Sequence, residues 1–272
     1  LNGEVLLSDD INKVLKDRHP YEEWLKKNST DLSAYSEKKE KVSELDTNKL
    51  TIFKKYFGVT LEEEKDVILP LAKLGIEATG SMGDDTPMPV LSKQSRSIYD
   101  YFRQQFAQVT NPPIDSLRET SVMSLETCLG VERNLFDESS LHAGRLILNS
   151  PILSRQVFEK LISYNKKGFP NDKLSLHYDK SIDLEEAINT ISDRAVRSVK
   201  KGNVLIILSD INLNSNQLTI PAAMAVGAVH HRLIKEGIRC DCNIIIETAS
   251  TWNSHHFAVL LGYGCSAIYP YL

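Results

Sequence analysis

The sequence predicts an α/β protein: a β/α repeat preceded by a mainly helical region. Three observations predict it. Strand-like apolar runs start near Leu146, Leu174, Val204, Asn243 and Ser266. The gaps between these starts are 28, 30, 39 and 23 residues, and each gap holds one helical pattern. Val204–Leu208 is apolar at every position, the composition of a parallel strand covered on both faces. A β-α-β-α-β-α-β-α-β order with right-handed crossovers follows. Periodicity alone leaves two architectures open, a doubly wound sheet and part of a (β/α)8 barrel.

The elements follow in order. Residues 1–79 read as a mainly helical N-terminal region with a polar linker, and residues 80–272 as the β/α repeat. Asp9 or Asp10 caps a first helix with Ile11, Val14 and Leu15 on one face. Pro20 interrupts it, and Tyr21, Trp24 and Leu25 start a second stripe. Residues 28–48, rich in Ser, Lys and Glu, read as an exposed linker. Thr60 and Glu63 have capping-box spacing ahead of Val67, Ile68 and Leu71, in a helix interrupted near Pro70. In the repeat, Ser154 caps a helix burying Val157, Phe158, Leu161 and Ile162, ended by Gly168. Asp183 opens the most regular helix, with Ala187, Ile191, Ala195 and Val199 on one face and Gly202 as its stop. Pro221 fits a first helical turn closed by Gly237, and Ser254 opens a short helix running to Gly262.

Bulk properties exclude several function classes. A chain of 272 residues with 42% hydrophobic and 25% charged residues builds its own core without disulfide or metal staples. A net charge of −4 gives no reason to expect nucleic acid or an anionic membrane as partner. No apolar run approaches the roughly 20 residues that span a bilayer. Of the four cysteines, only Cys240 and Cys242 are close, and alternating strand positions point to opposite faces, a poor chelate. This usage fits a reducing cytoplasm. The chain starts at Leu1 and stops on the apolar Ile268–Leu272, which reads as a piece of a longer protein.

Candidate chemistry is sparse. Asp179, Asp210 and Glu247 sit at or just past strand C-termini, where both architectures bind ligands. Converging, they would make a divalent-metal or acid/base site, and hence a standalone metal-dependent α/β enzyme. The simpler reading is that they cap helices and hold loops. His230-His231 and His255-His256 are adjacent on helices, about 100° apart, and suit one buried, hydrogen-bonded ring and one exposed ring per pair. The Gly80–Pro87 loop has two glycines three apart, but Asp84 and Asp85 would repel phosphate, so an interface or channel loop fits better. Asn111-Pro112-Pro113 fixes an extended backbone, and with Asp115, Arg118 and Glu119 it is suited to docking another domain. No nucleophile elbow, phosphate loop or iron–sulfur spacing is present.

Four stretches carry a resemblance: GSMGDDTPMPVLS (80–92), YDYFRQQFAQVTNPPIDSLRE (99–119), IPAAMAVGAVHHRLIKEGIR (220–239) and HHFAVLLGYGCSAIYPYL (255–272). In this order and spacing the chain resembles the central domain of the glutamate synthase large subunit over nearly its whole length. Ile211, and the turn Ala249–Ser254, depart from that family's usual Arg and acidic, Arg-containing turn. The resemblance implies a degenerate or incomplete (β/α) barrel-like repeat. It also implies a non-catalytic linking domain between a glutamine amidotransferase domain and an FMN-binding domain of one chain. The parent would be an NADPH- or ferredoxin-dependent oxidoreductase that makes glutamate from glutamine and 2-oxoglutarate. FMN and a 3Fe–4S cluster would belong to the parent, with no cofactor or metal in this region. Ser81, Met82 and Thr86 would line or approach an ammonia tunnel, where small uncharged groups pass neutral ammonia. Asn111, Asp115 and Arg118 would contact neighbouring domains.

Overall fold

The structure is a computed structural model that describes residues 3, 5–33, 46–79, 87, 89–94, 96–103, 122–164, 168–212 and 216–272. Helix α1 (Ser8–Arg18) starts with the Leu7 N–H donating to Asp10 Oδ2 at 3.1 Å, so Asp10 reaches back to the helix start instead of preceding it. Pro20 separates α1 from α2 (Tyr21–Asn28). A strand, β1 (Thr30–Asp31), and the fully buried Leu32 follow inside the stretch expected to be linker. Asp46 caps α3 (Thr47–Phe57) by accepting from Asn48 N–H at 3.1 Å. The Thr60–Glu63 box forms in both directions, Glu63 N–H to Thr60 Oγ1 at 3.1 Å and Thr60 N–H to Glu63 Oε2 at 2.8 Å. A π-helical turn over Glu63–Ile68 then leads into α4 (Leu69–Leu74). Pro70 has no N–H and its ring crowds the carbonyl four residues back; a turn closed five residues back, Leu69 N–H to Glu64 O, accommodates it.

Strands β2 (Thr127–Leu129) and β3 (Leu146–Leu148) flank a 3-10 turn at Ser140–Ala143. Together with β1 they form a three-stranded sheet of order β1-β3-β2. Ser154 Oγ accepts from Val157 N–H at 3.4 Å and caps α5 (Arg155–Ser163). Then come β4 (Asn171–Ser175), β5 (His177–Asp179) and α6 (Leu184–Lys200), which Asp183 caps through Glu185 N–H at 3.1 Å. The rest are β6 (Leu205–Ser209), β7 (Gln217–Thr219), α7 (Ala222–Lys235), β8 (Asn243–Thr248), α8 (Ser254–Gly262) and β9 (Ala267–Pro270).

The central sheet is parallel, in the order β4-β6-β8-β9, so consecutive β/α units are neighbours. Two expected strands behave differently. The run Leu174–Tyr178 splits at Leu176, whose N–H donates to Ser209 O at 2.8 Å. Beyond it β5 turns away and pairs antiparallel with β7 as a separate ribbon. The run at Leu146 joins the small sheet, and only Ile152, farther along, bridges the central sheet, beside Ile268.

Side-chain alternation gives the sheet two apolar faces. Ile206, Leu208, Ile244, Ile246 and Ile268 pack under α6, α7 and α8. Leu205, Ile207, Ile245 and Ala267 pack against α5 and the small sheet. Burial on both sides is why β6 and β8 read as continuous apolar runs. Each fully buried large aliphatic side chain contributes about 1.5–3 kcal/mol. The turn that follows α8 packs against α7 through a glycine: at Gly264 (φ +100) a Cβ would lie 2.1 Å from His230 Nδ1.

Candidate functional site

The C-terminal ends of β6 and β8 form the rim where a parallel sheet would bind a ligand. Ser209 and Glu247 are partners in register, so their side chains share the face toward α5. Asp210 and Thr248, one residue farther along, share the opposite face. The two rim carboxylates therefore diverge.

Each carboxylate is occupied by the protein's own groups. Glu247 accepts from Ser209 Oγ and pairs with Lys173 Nζ from β4 at 2.5 Å. Asp210 accepts from Thr248 Oγ1 and from Ala249 N–H, the latter at 3.2 Å. Its own backbone N–H donates to Glu247 O at 3.1 Å, and its carbonyl accepts from Tyr271 OH at 3.2 Å. Burial pushes the Asp210 carboxyl up to about 6, against the pull of its hydrogen bonds and of nearby His177. Burial and the Asp210 charge raise the Tyr271 hydroxyl as well. Asp179 lies apart and exposed, holding its own turn through Ser181 N–H at 2.9 Å and Oγ at 2.7 Å; those bonds lower its carboxyl. The three acids thus brace strand ends and a loop. Among the described residues no group of three or more His, Cys, Asp or Glu is arranged to hold a metal ion.

A second layer closes the rim. His177 bonds Thr219 Oγ1 at 2.8 Å and Ile211 O at 2.9 Å, tying β5 to β7 and to the loop after β6. Tyr56 of α3 reaches the same Thr219 hydroxyl at 2.7 Å, and Phe53 meets Tyr271 edge-on. Lys173, Ser209, Thr248, Tyr271 and His177 were not singled out in the sequence. The detectable signal was Lys173, a charge inside a strand pattern; the others needed the strand register.

The histidine pairs differ from each other. His230 is half-buried and accepts from Arg239 Nε at 3.0 Å, while His231 is exposed, as the helical spacing predicts. Burial and Arg239 lower His230. In the second pair the roles depart from expectation. His255 is half-buried instead of exposed, with Nε2 3.0 Å from Tyr99 O, and His256 Nε2 lies 3.5 Å from Asn253 Nδ2. Buried His256 stacks on Tyr99 at 4.4 Å, its Nδ1 has no hydrogen-bond partner, and burial lowers it to about 4. Cys240 is exposed on a 3-10 turn (Arg239–Asp241) and Cys242 is buried just before β8, so the two do not alternate along one strand as their spacing suggested. Ser81, Met82, Thr86, Asn111, Asp115 and Arg118 lie outside the described residues. Among the described residues no helix is long and apolar enough to cross a membrane.

The glutamate synthase central domain family matches residues 53–272. Over 270 residues the chain is 36% identical to the glutamate synthase (NADPH) large chain of Bacillus subtilis, covering 99% of this chain and 17% of that protein. It is 39% identical over 277 residues to ferredoxin-dependent glutamate synthase 2 of Synechocystis, covering 99% and 17%. Against the glutamate synthase (NADH) of Saccharomyces cerevisiae it is 39% identical over 221 residues, covering 79% and 10%. The chain therefore spans less than a fifth of the length of each of these relatives.

Proposed function

The chain belongs to the glutamate synthase central-domain family, and we propose that it is the linking domain of such an enzyme. In this reading an amidotransferase domain of the same polypeptide releases ammonia from glutamine. An FMN-binding domain adds it to 2-oxoglutarate and completes glutamate. The present chain joins the two and contributes to the wall of the ammonia tunnel.

The observation that carries this reading is the self-occupied rim. The place where a parallel β/α sheet would bind a substrate is closed by Lys173, Ser209, Thr248, Ala249 N–H and Tyr271. A chain with that rim, spanning 17% of its bacterial relatives, suits scaffolding better than catalysis. The diverging carboxylates count against a standalone metal enzyme. The sequential strand order with α6, α7 and α8 on one face supports an incomplete barrel-like sheet.

FMN and the 3Fe–4S cluster are assigned to the neighbouring domain. A cluster needs several convergent thiolates. Here Cys128 and Cys240 are exposed, Cys242 is buried and raised to about 11, and Cys265 is raised to about 12 with Sγ donating to Ala267 O at 2.9 Å. The four do not fit a cluster. Unpaired thiols support a reducing compartment such as the cytoplasm.

The tunnel candidates Ser81, Met82 and Thr86 are tested in the full-length parent. Thr86→Trp is expected to let glutamine hydrolysis outrun glutamate formation while ammonia-dependent synthesis is spared. A one-to-one ratio of glutamine consumed to ammonia incorporated in that variant would remove Thr86 from the tunnel.

A further inference from the structure

The hydrogen bonds around Thr219 have a direction that nothing above uses. His177 and Thr219 are directly opposed in the β5–β7 ribbon, so their side chains share one face. His177 Nε2 lies 2.9 Å from Ile211 O. A carbonyl only accepts, so Nε2 carries the N–H and, in the neutral ring, Nδ1 is left as an acceptor. Nδ1 lies 2.8 Å from Thr219 Oγ1, and the hydroxyl proton therefore points at it. With that proton committed, Oγ1 accepts from Tyr56 OH at 2.7 Å. One lone pair of Oγ1 is then left for bonding to carbon. The order of hydroxyl, imidazole and orienting acceptor is that of an activated nucleophile. Asp210 is close enough to His177 for their charges to interact, which favours an imidazolium once the proton has moved. His177 and Thr219 are half-buried and Tyr56 beside them is 45% exposed, so the pair stands at the protein surface.

We infer that Thr219 is an acyl-acceptor site, with its Oγ1 as nucleophile and His177 as general base, and that it takes its acyl group from an activated ester. Oγ1 attacks the carbonyl carbon, and its proton passes to His177 Nδ1. The tetrahedral adduct collapses, and the leaving group departs with the electron pair of the broken bond. The products are Thr219 esterified with the acyl group, the leaving-group anion, and an imidazolium at His177 that gives its proton up to solvent. Nothing is oxidised or reduced. The leaving group sets the substrate class. Aryl esters and thioesters release a weakly basic anion, which departs without a proton donor. Alkyl esters release a strongly basic alkoxide and are excluded. The site is a place of modification that accepts an acyl group once, which is compatible with a domain whose strand-end rim is filled by its own side chains.

The probe is p-nitrophenyl acetate, applied to the intact polypeptide that contains this chain. Mass spectrometry of the peptide spanning Thr219 reads the result, so acetylation elsewhere does not count. The expected outcome is an acetyl group on Thr219, gained roughly 100-fold more slowly in His177→Gln. Thr219→Ser should keep the label and Thr219→Val should lose it. Imidazole added to His177→Gly should restore labelling, a rescue that a histidine with only a structural role would not show. Native protein in urea should label at Thr219 no faster than an isolated threonine, a comparison that needs no variant to fold. Acetyl groups confined to other side chains of the native protein would overturn the inference. So would labelling of Thr219 at an undiminished rate in His177→Gln or in urea, because the hydroxyl would then react without the imidazole.

Discussion

Asp210 and His256 are buried titratable groups whose environments act in opposite directions over one pH window. Burial raises Asp210 to about 6, above the usual carboxylate value near 4. Between those values the folded carboxyl keeps its proton while the unfolded one has lost it. Its contribution to stability is present below about 4 and is lost as pH rises through about 6. Burial lowers His256 to about 4, below the usual 6.5. Its contribution is present above about 6.5 and is lost as pH falls toward about 4. The two slopes offset each other. Asp210→Asn removes the first, so the variant should lose stability on acidification from pH 6 to 4 more steeply than the native chain, by up to about 1.4 kcal/mol per pH unit. Urea unfolding at pH 4.5, 5.5 and 6.5 measures this, and an unchanged slope would show that Asp210 does not titrate there. The acids themselves were legible as strand-end residues. Their partners were not, because Lys173, Thr248 and Tyr271 reach them across strands, from 38 to 74 positions away.

At the scale of elements, local chemistry was readable and long-range pairing was not. Asp183, Ser154 and the Thr60–Glu63 box act within four residues, and all three start helices where the sequence places them. Asp183→Ala should destabilise the fold by about 1 kcal/mol, seen as a lower urea midpoint with an unchanged m-value, with Asp183→Asn restoring most of it. The β5–β7 ribbon escaped notice because His177-Tyr178-Asp179 continues the apolar rhythm of β4 and its partner lies some 40 residues on. Strand β1 escaped because two residues in a polar stretch carry no periodicity, although Leu32 behind it is fully buried. Helix α3 was hidden by the same polar flank.

For the whole molecule, the repeat predicted a parallel sheet, and one is present, with consecutive units as neighbours. That the first apolar run would leave it for a small sheet with β1 and β2 depends on contacts between distant segments. The rim at the strand ends is braced by the protein's own side chains. In the linking role we propose, function resides in what the domain joins. The most direct measurement removes the link. Amidotransferase and FMN-binding domains of the parent, expressed separately and mixed without this region, are assayed for glutamine hydrolysis, ammonia-dependent glutamate synthesis and glutamine-dependent synthesis. The first two are expected to persist while the third falls to the level supported by ammonia free in solution. Full glutamine-dependent synthesis in the mixture, with no ammonia escaping, would contradict it.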